Sequence, residues 1–212
     1  MKKTTRSIAL IFSLAFFATI GSAFRQPLSY DPPKKSNQQT WVVDKMHSNV
    51  NFSVSHLVIS EVDGSFKVFD GKIISAKEDF TDAKIEFSVD VNSINTDNSM
   101  RDDHLKGDDF FNAATYPKMT FTSTSFKKVS GNKYKLEGDL TIRNVTKRMS
   151  FDVVYGGIAK DPYGNTKAGF KASGTINRLQ YGLKWNTMTE AGGAVVGADV
   201  DLKIKLEFAK NK

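Results

Sequence analysis

The residues best suited to proton transfer or metal ligation in this chain are three histidines, His47, His56 and His104. Imidazole changes charge near neutral pH and is a common metal ligand. A catalytic zinc site takes three protein ligands from histidine and carboxylate. His47 and His56 are nine positions apart, so on a regular strand they face opposite sides. No metal site is expected. His104 lies three residues after Arg101, which puts both on one face of a helix. There Arg101, Asp102 and Asp103 either pair locally and hold the helix in place, or Arg101 and His104 serve as a head-group contact or gate. Nucleophilic catalysis finds no support: there is no Gly-x-Ser-x-Gly elbow and no phosphate-cradling glycine motif, and Gly192-Gly193 reads as a flexible loop. The chain contains no cysteine, which excludes disulfides, thiol catalysis and thiolate metal sites. No cofactor is expected.

What must position these residues is a set of strands. Val196, Ala198, Val200, Leu202, Ile204, Leu206 and Phe208 are apolar, and almost every residue between them is polar or glycine. Strict alternation marks a strand with one dry and one wet face. The same pattern gives Val50, Phe52, Val54; Ile85, Phe87, Val89, Val91; Tyr134, Leu136, Leu140, Ile142; Met149, Phe151, Val153, Tyr155; then Phe170 and Ile176. Turns are expected at Ser130-Gly131-Asn132, at Asn144 and at Asp161–Asn165. The links are short, so neighbouring strands pair antiparallel in a meander. The segment Asn98–Lys106 lacks alternation and reads as one short helix, capped by Asp97 or Asn98 and ended by Gly107.

An antiparallel set with no covering helix layer is a sandwich or a closed barrel. The inward positions mix bulky Phe52, Phe87, Phe121, Phe151 and Phe170 with small Gly138, Ala168, Ala172, Gly174 and Ala198. That mixture fits a partly unfilled lumen and equally a tapered, packed core; we favour the cavity. His56 is in phase with Val50, Phe52 and Val54. It is either a buried histidine satisfied by a protein partner or a polar contact for a guest molecule.

The N-terminus Met1–Arg6 is basic, Ile8–Ile20 is apolar, and Gly21-Ser22-Ala23 is small. Those are the parts of a secretory signal peptide, and the apolar run is shorter than the roughly 20 residues a spanning helix needs. Cleavage after Ala23 would remove Lys2, Lys3 and Arg6 and lower the formal charge from +7 to +4. Residues 24–40, with three prolines, read as a flexible leader, followed by one domain over 41–210. Lysine and arginine alternate with acids and hydroxyls along the strands, a solvated face and not a nucleic-acid stripe.

Several ordered segments along the chain form a recognisable set. They begin with Trp41-Val42-Val43-Asp44 and His47-Ser48-x-Val50-x-Phe52-Ser53-Val54-x-His56. Gly64-x-Phe66, Phe69-Asp70-Gly71 and Ser93-Ile94-x-Thr96 follow. Next come Arg101-Asp102-x-His104-Leu105, Asp109-Phe110-Phe111, Tyr116-Pro117 and Phe121-x-Ser123. Gly138-x-Leu140-Thr141-Ile142, Val145-Thr146-Lys147, Asn177-Arg178 and Tyr181-Gly182-Leu183-x-Trp185 complete the set. Taken together, these segments resemble the YceI-like, polyisoprenoid-binding family, and the resemblance implies a lipocalin-like antiparallel β-barrel of eight or more strands, periplasmic or secreted, holding a long-chain amphiphile such as a polyisoprenoid, polyprenyl quinone or fatty acid or amide. Strand parity then names the lumen contacts: Phe52, Val54, His56, Phe87, Val89, Phe121, Leu136, Phe151, Val153, Phe170, Ala172 and Val200. The alternatives are a stress-response or structural factor with an incidental ligand and, with less support, an enzyme acting on a lipid head group. Transient membrane contact and a homodimer are both compatible with the sequence.

Overall fold

The computed structural model describes residues 37–190 and 192–211; the expected signal peptide and most of the expected leader lie outside them. Eleven strands and one α-helix follow in order: β1 (Gln39–Val43), β2 (Asn49–His56), β3 (Ser60–Phe66), β4 (Phe69–Ser75), β5 (Lys84–Asp90), β6 (Ile94–Asn95), α1 (Ser99–Lys106), β7 (Lys118–Ser130), β8 (Lys133–Ile142), β9 (Val145–Lys160), β10 (Thr166–Asn177) and β11 (Val196–Lys210). β1 starts two residues before Trp41 because Gln39 and Thr40 already pair with Ser75 and Ile74.

These strands make a closed eight-stranded barrel. β1 and β2 lie along the same edge of β11, separated by a 3₁₀ turn at Lys45–His47 that the Asp44 carboxylate caps. β3 with β4, and β5 with β6, continue across the next two positions. β7 to β11 complete an antiparallel meander, and β1–β11 pairing closes the ring. Closure through β1–β11 removes the two outer edges of the meander, while β3 pairs on its outer side only at Ser65 and Phe66.

Inward residues of the meander are apolar and largely buried, whereas outward ones such as Asp152, Lys171, Lys203 and Lys205 are charged and exposed. The β8–β9 link is a two-residue turn with Arg143 and Asn144 both at positive φ, the hairpin geometry that matches strand twist. Helix α1 is capped by Asn98, whose side chain accepts the Arg101 N–H at 3.1 Å, and stops at Gly107. At one end of the barrel stand the β2–β3 hairpin, α1 with the loop after it, the β8–β9 turn and the long β10–β11 connection; this is called the upper end below.

Candidate ligand-binding site

The barrel interior is filled at its lower end and hollow above. The filling comes from the β4–β5 loop, residues 76–83, which inserts Phe80 into the barrel with no exposed surface at all. The Phe80 ring meets Trp41, Tyr155 and Phe170 edge-on, with centroids 5.2, 5.6 and 5.2 Å away. Two phenols pin the loop's backbone: Tyr134 Oη donates to the Asp79 carbonyl at 3.0 Å and Tyr155 Oη to that of Glu78 at 3.3 Å. Burial pushes both hydroxyls above the usual phenol range, so both keep the proton they donate.

Above this plug lies a cavity with about 180 Å³ available to the centres of water-sized molecules. Its lining is apolar except for Asn51, Thr120 and Arg178. The cavity exists partly because glycines let phenylalanine rings lie flat against the wall. A Cβ on Gly64 would fall 2.2 Å from Phe52 Cζ, one on Gly71 2.3 Å from Phe87 Cδ2, and one on Gly138 2.3 Å from Phe121 Cζ. Large and small inward residues therefore serve both outcomes left open by the sequence, a packed lower core and an unfilled upper lumen.

Of the residues expected in the lumen, Phe52, Val54, Phe87, Val89, Phe121, Leu136, Phe151, Ala172 and Val200 come together around the cavity. Val153 and Phe170 point inward but belong to the packed core below it, where Phe170 stacks on Tyr155 at 5.2 Å. His56 is half-buried at the last position of β2, opposite Ser60 and Val196, and lies outside the cavity lining. Arg101 is not at the lumen either: its Nε and Nη2 donate to Thr96 Oγ1 and the Thr96 carbonyl, both at 2.7 Å. The buried Asp102 accepts the Thr96 N–H and hydroxyl, so this pair of residues anchors α1. His104 Nε2 is 3.2 Å from Asp109 Oδ2, and its ring stands edge-on to Phe110 and Trp185 on the outer side of the cover.

Arg178 is the charged residue of the cavity lining, and the strand parity did not assign it. It is 3% exposed and lines the cavity's upper end. Its guanidinium donates to the carbonyls of Gly197, Leu183, Trp185 and Val196 at 2.7–3.0 Å and lies 5.9 Å from the Phe110 ring centre. It has no carboxylate partner among the described residues, and desolvation lowers its pKa from the usual arginine value. The sequence did hold a clue: Phe170, Ala172, Gly174 and Ile176 face in, and the next residue in that phase is Arg178. A second arginine, Arg143, binds the carbonyls of Asp108, Phe110 and Gly182 at 2.7–2.9 Å. The two arginines hold the connections that cover the upper end.

One group of possible metal ligands occurs among the described residues. Asp44, His47 and Glu207 offer ligand atoms within 4.8 Å of one another. The Lys167 amine already contacts Asp44 and sits 3.2 Å from Glu207, so the local negative charge is compensated from within the chain. It lies on the β1–β2 junction and is separate from the cavity lining.

A family sequence model for the YceI-like domain matches residues 41–208. The chain belongs to the YceI-like family. The UPF0312 protein of Staphylococcus aureus strain USA300 is 38% identical to it over 167 residues, 78% of this chain and 95% of that protein. A Campylobacter jejuni YCEI protein of known structure is 36% identical, with a TM-score of 0.63, over 74% of this chain and 90% of that one. More distant structures share the fold: BcnA of Burkholderia cenocepacia at 24% identity and TM-score 0.65, covering 78% of this chain and 98% of that one. A polyisoprenoid binding domain from Saccharophagus degradans follows at 18% identity and TM-score 0.61, covering 81% of this chain and 98% of that domain. The YceI-like barrel thus accounts for the whole strand meander and for the cover at its upper end.

Proposed function

We propose that this YceI-like protein is an exported carrier holding one long-chain amphiphile in the barrel, with the apolar chain in the lumen and the polar end at Arg178. The observation that carries this reading is the apolar cavity with a single buried, carboxylate-free guanidinium at its upper end. Each methylene moved out of water contributes about 0.8 kcal/mol, so ten supply roughly 8 kcal/mol before association costs. A polyisoprenoid, polyprenyl quinone or fatty acid or amide has that much apolar chain, and the Saccharophagus domain of the same fold is described as polyisoprenoid binding.

The head group follows from charge. Arginine carries five N–H donors. Four are used on backbone carbonyls, leaving one Nη2 hydrogen. A buried cation without a counter-ion favours a guest oxygen bearing negative charge or a strong dipole, as in a quinone or amide carbonyl, a carboxylate or a phosphate. The role is binding, without chemical turnover. The basic, apolar and small-residue pattern of residues 1–23 supports export to the periplasm or beyond.

Native mass spectrometry with lipid extraction, on protein purified gently from its own source, tests this reading. One amphiphile per barrel is the expected result. A protein that retains no long-chain lipid and takes none up on titration would overturn it, leaving a structural or stress-response role for an empty barrel.

A further inference from the structure

The hairpin joining β2 to β3 turns through Leu57, Val58 and Ile59, between the paired His56 and Ser60. Leu57 and Val58 have φ of 52° and 67°, and the Ile59 N–H donates to the His56 carbonyl at 3.2 Å. Two successive positive φ values define the turn that Asn-Gly or Asp-Gly ordinarily occupies. A β-branched residue there is a true outlier. Neither turn chemistry nor packing explains this Leu-Val-Ile run, because Leu57 is 39%, Val58 70% and Ile59 85% exposed.

The tip is not isolated. The Leu57 N–H donates to the Val195 carbonyl at 2.9 Å, and the Val195 N–H to that of Thr187 at 2.9 Å. Gly193 lies so close to Val58 that a Cβ on it would be 3.0 Å from Val58 Cγ2. Met188, bridged to Ala194 in the same loop, is 56% exposed. The neighbour of Val195, Val196, lines the cavity and gives its carbonyl to Arg178. One hydrogen bond and one residue step therefore connect Leu57 to a residue of the cavity lining.

The shape and charge of this feature select its partner. A hairpin tip is a protrusion, which a protein would have to receive in a pocket and a bilayer receives by immersion. The charged residues nearest the tip in sequence are Glu61, Lys184 and Glu190, two acids and one base, not a run of lysines and arginines of the kind that reads anionic lipid.

We propose that the Leu57–Ile59 tip, together with Met188, immerses in the hydrocarbon boundary of a lipid bilayer and docks the upper end of the barrel there, so that lumen and membrane exchange the apolar chain. The purpose of the contact rests on the carrier reading; the contact itself does not require an occupied lumen.

The test is flotation of the full-length mature protein with phosphatidylcholine vesicles, comparing wild type with the triple variant Leu57→Asn, Val58→Gly, Ile59→Ser. The Asn-Gly pair suits the turn, so the variant should unfold at the same temperature as wild type or higher. Its partition into vesicles should fall roughly tenfold or more, and wild-type partition should change little with salt. Docking is refuted if wild type stays off the vesicles, if the variant floats equally well, or if the tip is buried in a dimer that the variant dissociates. Uptake of a long-chain lipid from detergent, measured on the same two proteins, separates the two proposals. Failure of uptake with intact flotation sinks the carrier reading alone, and intact uptake without wild-type flotation sinks the docking alone.

Discussion

Replacing Gly64 by alanine should narrow the lumen without unfolding the barrel. Phe52 and Gly64 are register partners on β2 and β3. The three atoms nearest to an added Cβ are all in the Phe52 ring, at 2.2, 2.7 and 2.9 Å. Carbon atoms settle at about 3.5–4.0 Å, so the ring tip must move by more than about 1 Å. Overpacking a filled core costs about 1–3 kcal/mol, but here the ring borders empty space. Removing a strand glycine returns about 0.5–1 kcal/mol, so net stability should stay within about 1 kcal/mol of wild type. A ring tilted into the lumen excludes about two methylenes of guest, about 1.6 kcal/mol or roughly 15-fold in affinity. Displacement of a fluorescent long-chain probe measures the affinity, and urea unfolding the stability. Unchanged affinity at unchanged stability would refute the flat-ring account of the cavity, and a stability loss above about 3 kcal/mol would show that the ring has nowhere to go.

Three further outcomes are expected. Gly138→Ala should destabilise by about 2 kcal/mol or more in urea, because its Cβ would lie 2.5 Å from the Thr122 carbonyl oxygen as well as against Phe121; a neutral result would contradict the close approach of these strands. Arg178→Met should lose about 3–5 kcal/mol, since four buried carbonyls lose their donor, and a loss under about 1 kcal/mol would mean the cover does not depend on it. Asp44 has its pKa lowered from 3.8 to about 2, chiefly by the Lys167 hydrogen bond. A depressed carboxylate stabilises above its unfolded pKa, so this contribution of about 2 kcal/mol should be complete above pH 4–5 and vanish as pH falls through about 2. The stability difference between wild type and Asp44→Asn, followed by denaturant unfolding from pH 5 to 2, should shrink accordingly; a difference that stays flat would rule the linkage out.

Period-two alternation carried most of the fold, because every wall strand has one dry face. It also anticipated the Asn144 turn and the short helix ending at Gly107. Parity, however, reports the side a residue faces and not its height along the barrel axis. Val153, Phe170 and His56 show the consequence: all share phase with lumen residues, yet two belong to the packed core below the cavity and one sits past the cavity at a strand end. Phe80 lies in a loop outside any strand pattern, so the closing of the lower end was not legible. Arg178 was within reach of the pattern, one step beyond Ile176, but a basic residue after a strand ordinarily reads as a solvent-facing turn.

The two arginine clamps have a consequence for how the barrel can be altered. Arg143 and Arg178 hold the segments 108–110, 182–185 and 196–197 almost wholly by backbone oxygen, a group every amino acid supplies. Apart from Gly182, which holds a positive φ, and Gly197, which packs against Ser55, side chains on those segments can be exchanged without removing an acceptor of the clamp. The roof of the barrel is a place where selectivity can be rewritten, by evolution or by a library at the cavity-lining positions 110, 183 and 196, while its fastening stays in two residues outside the library.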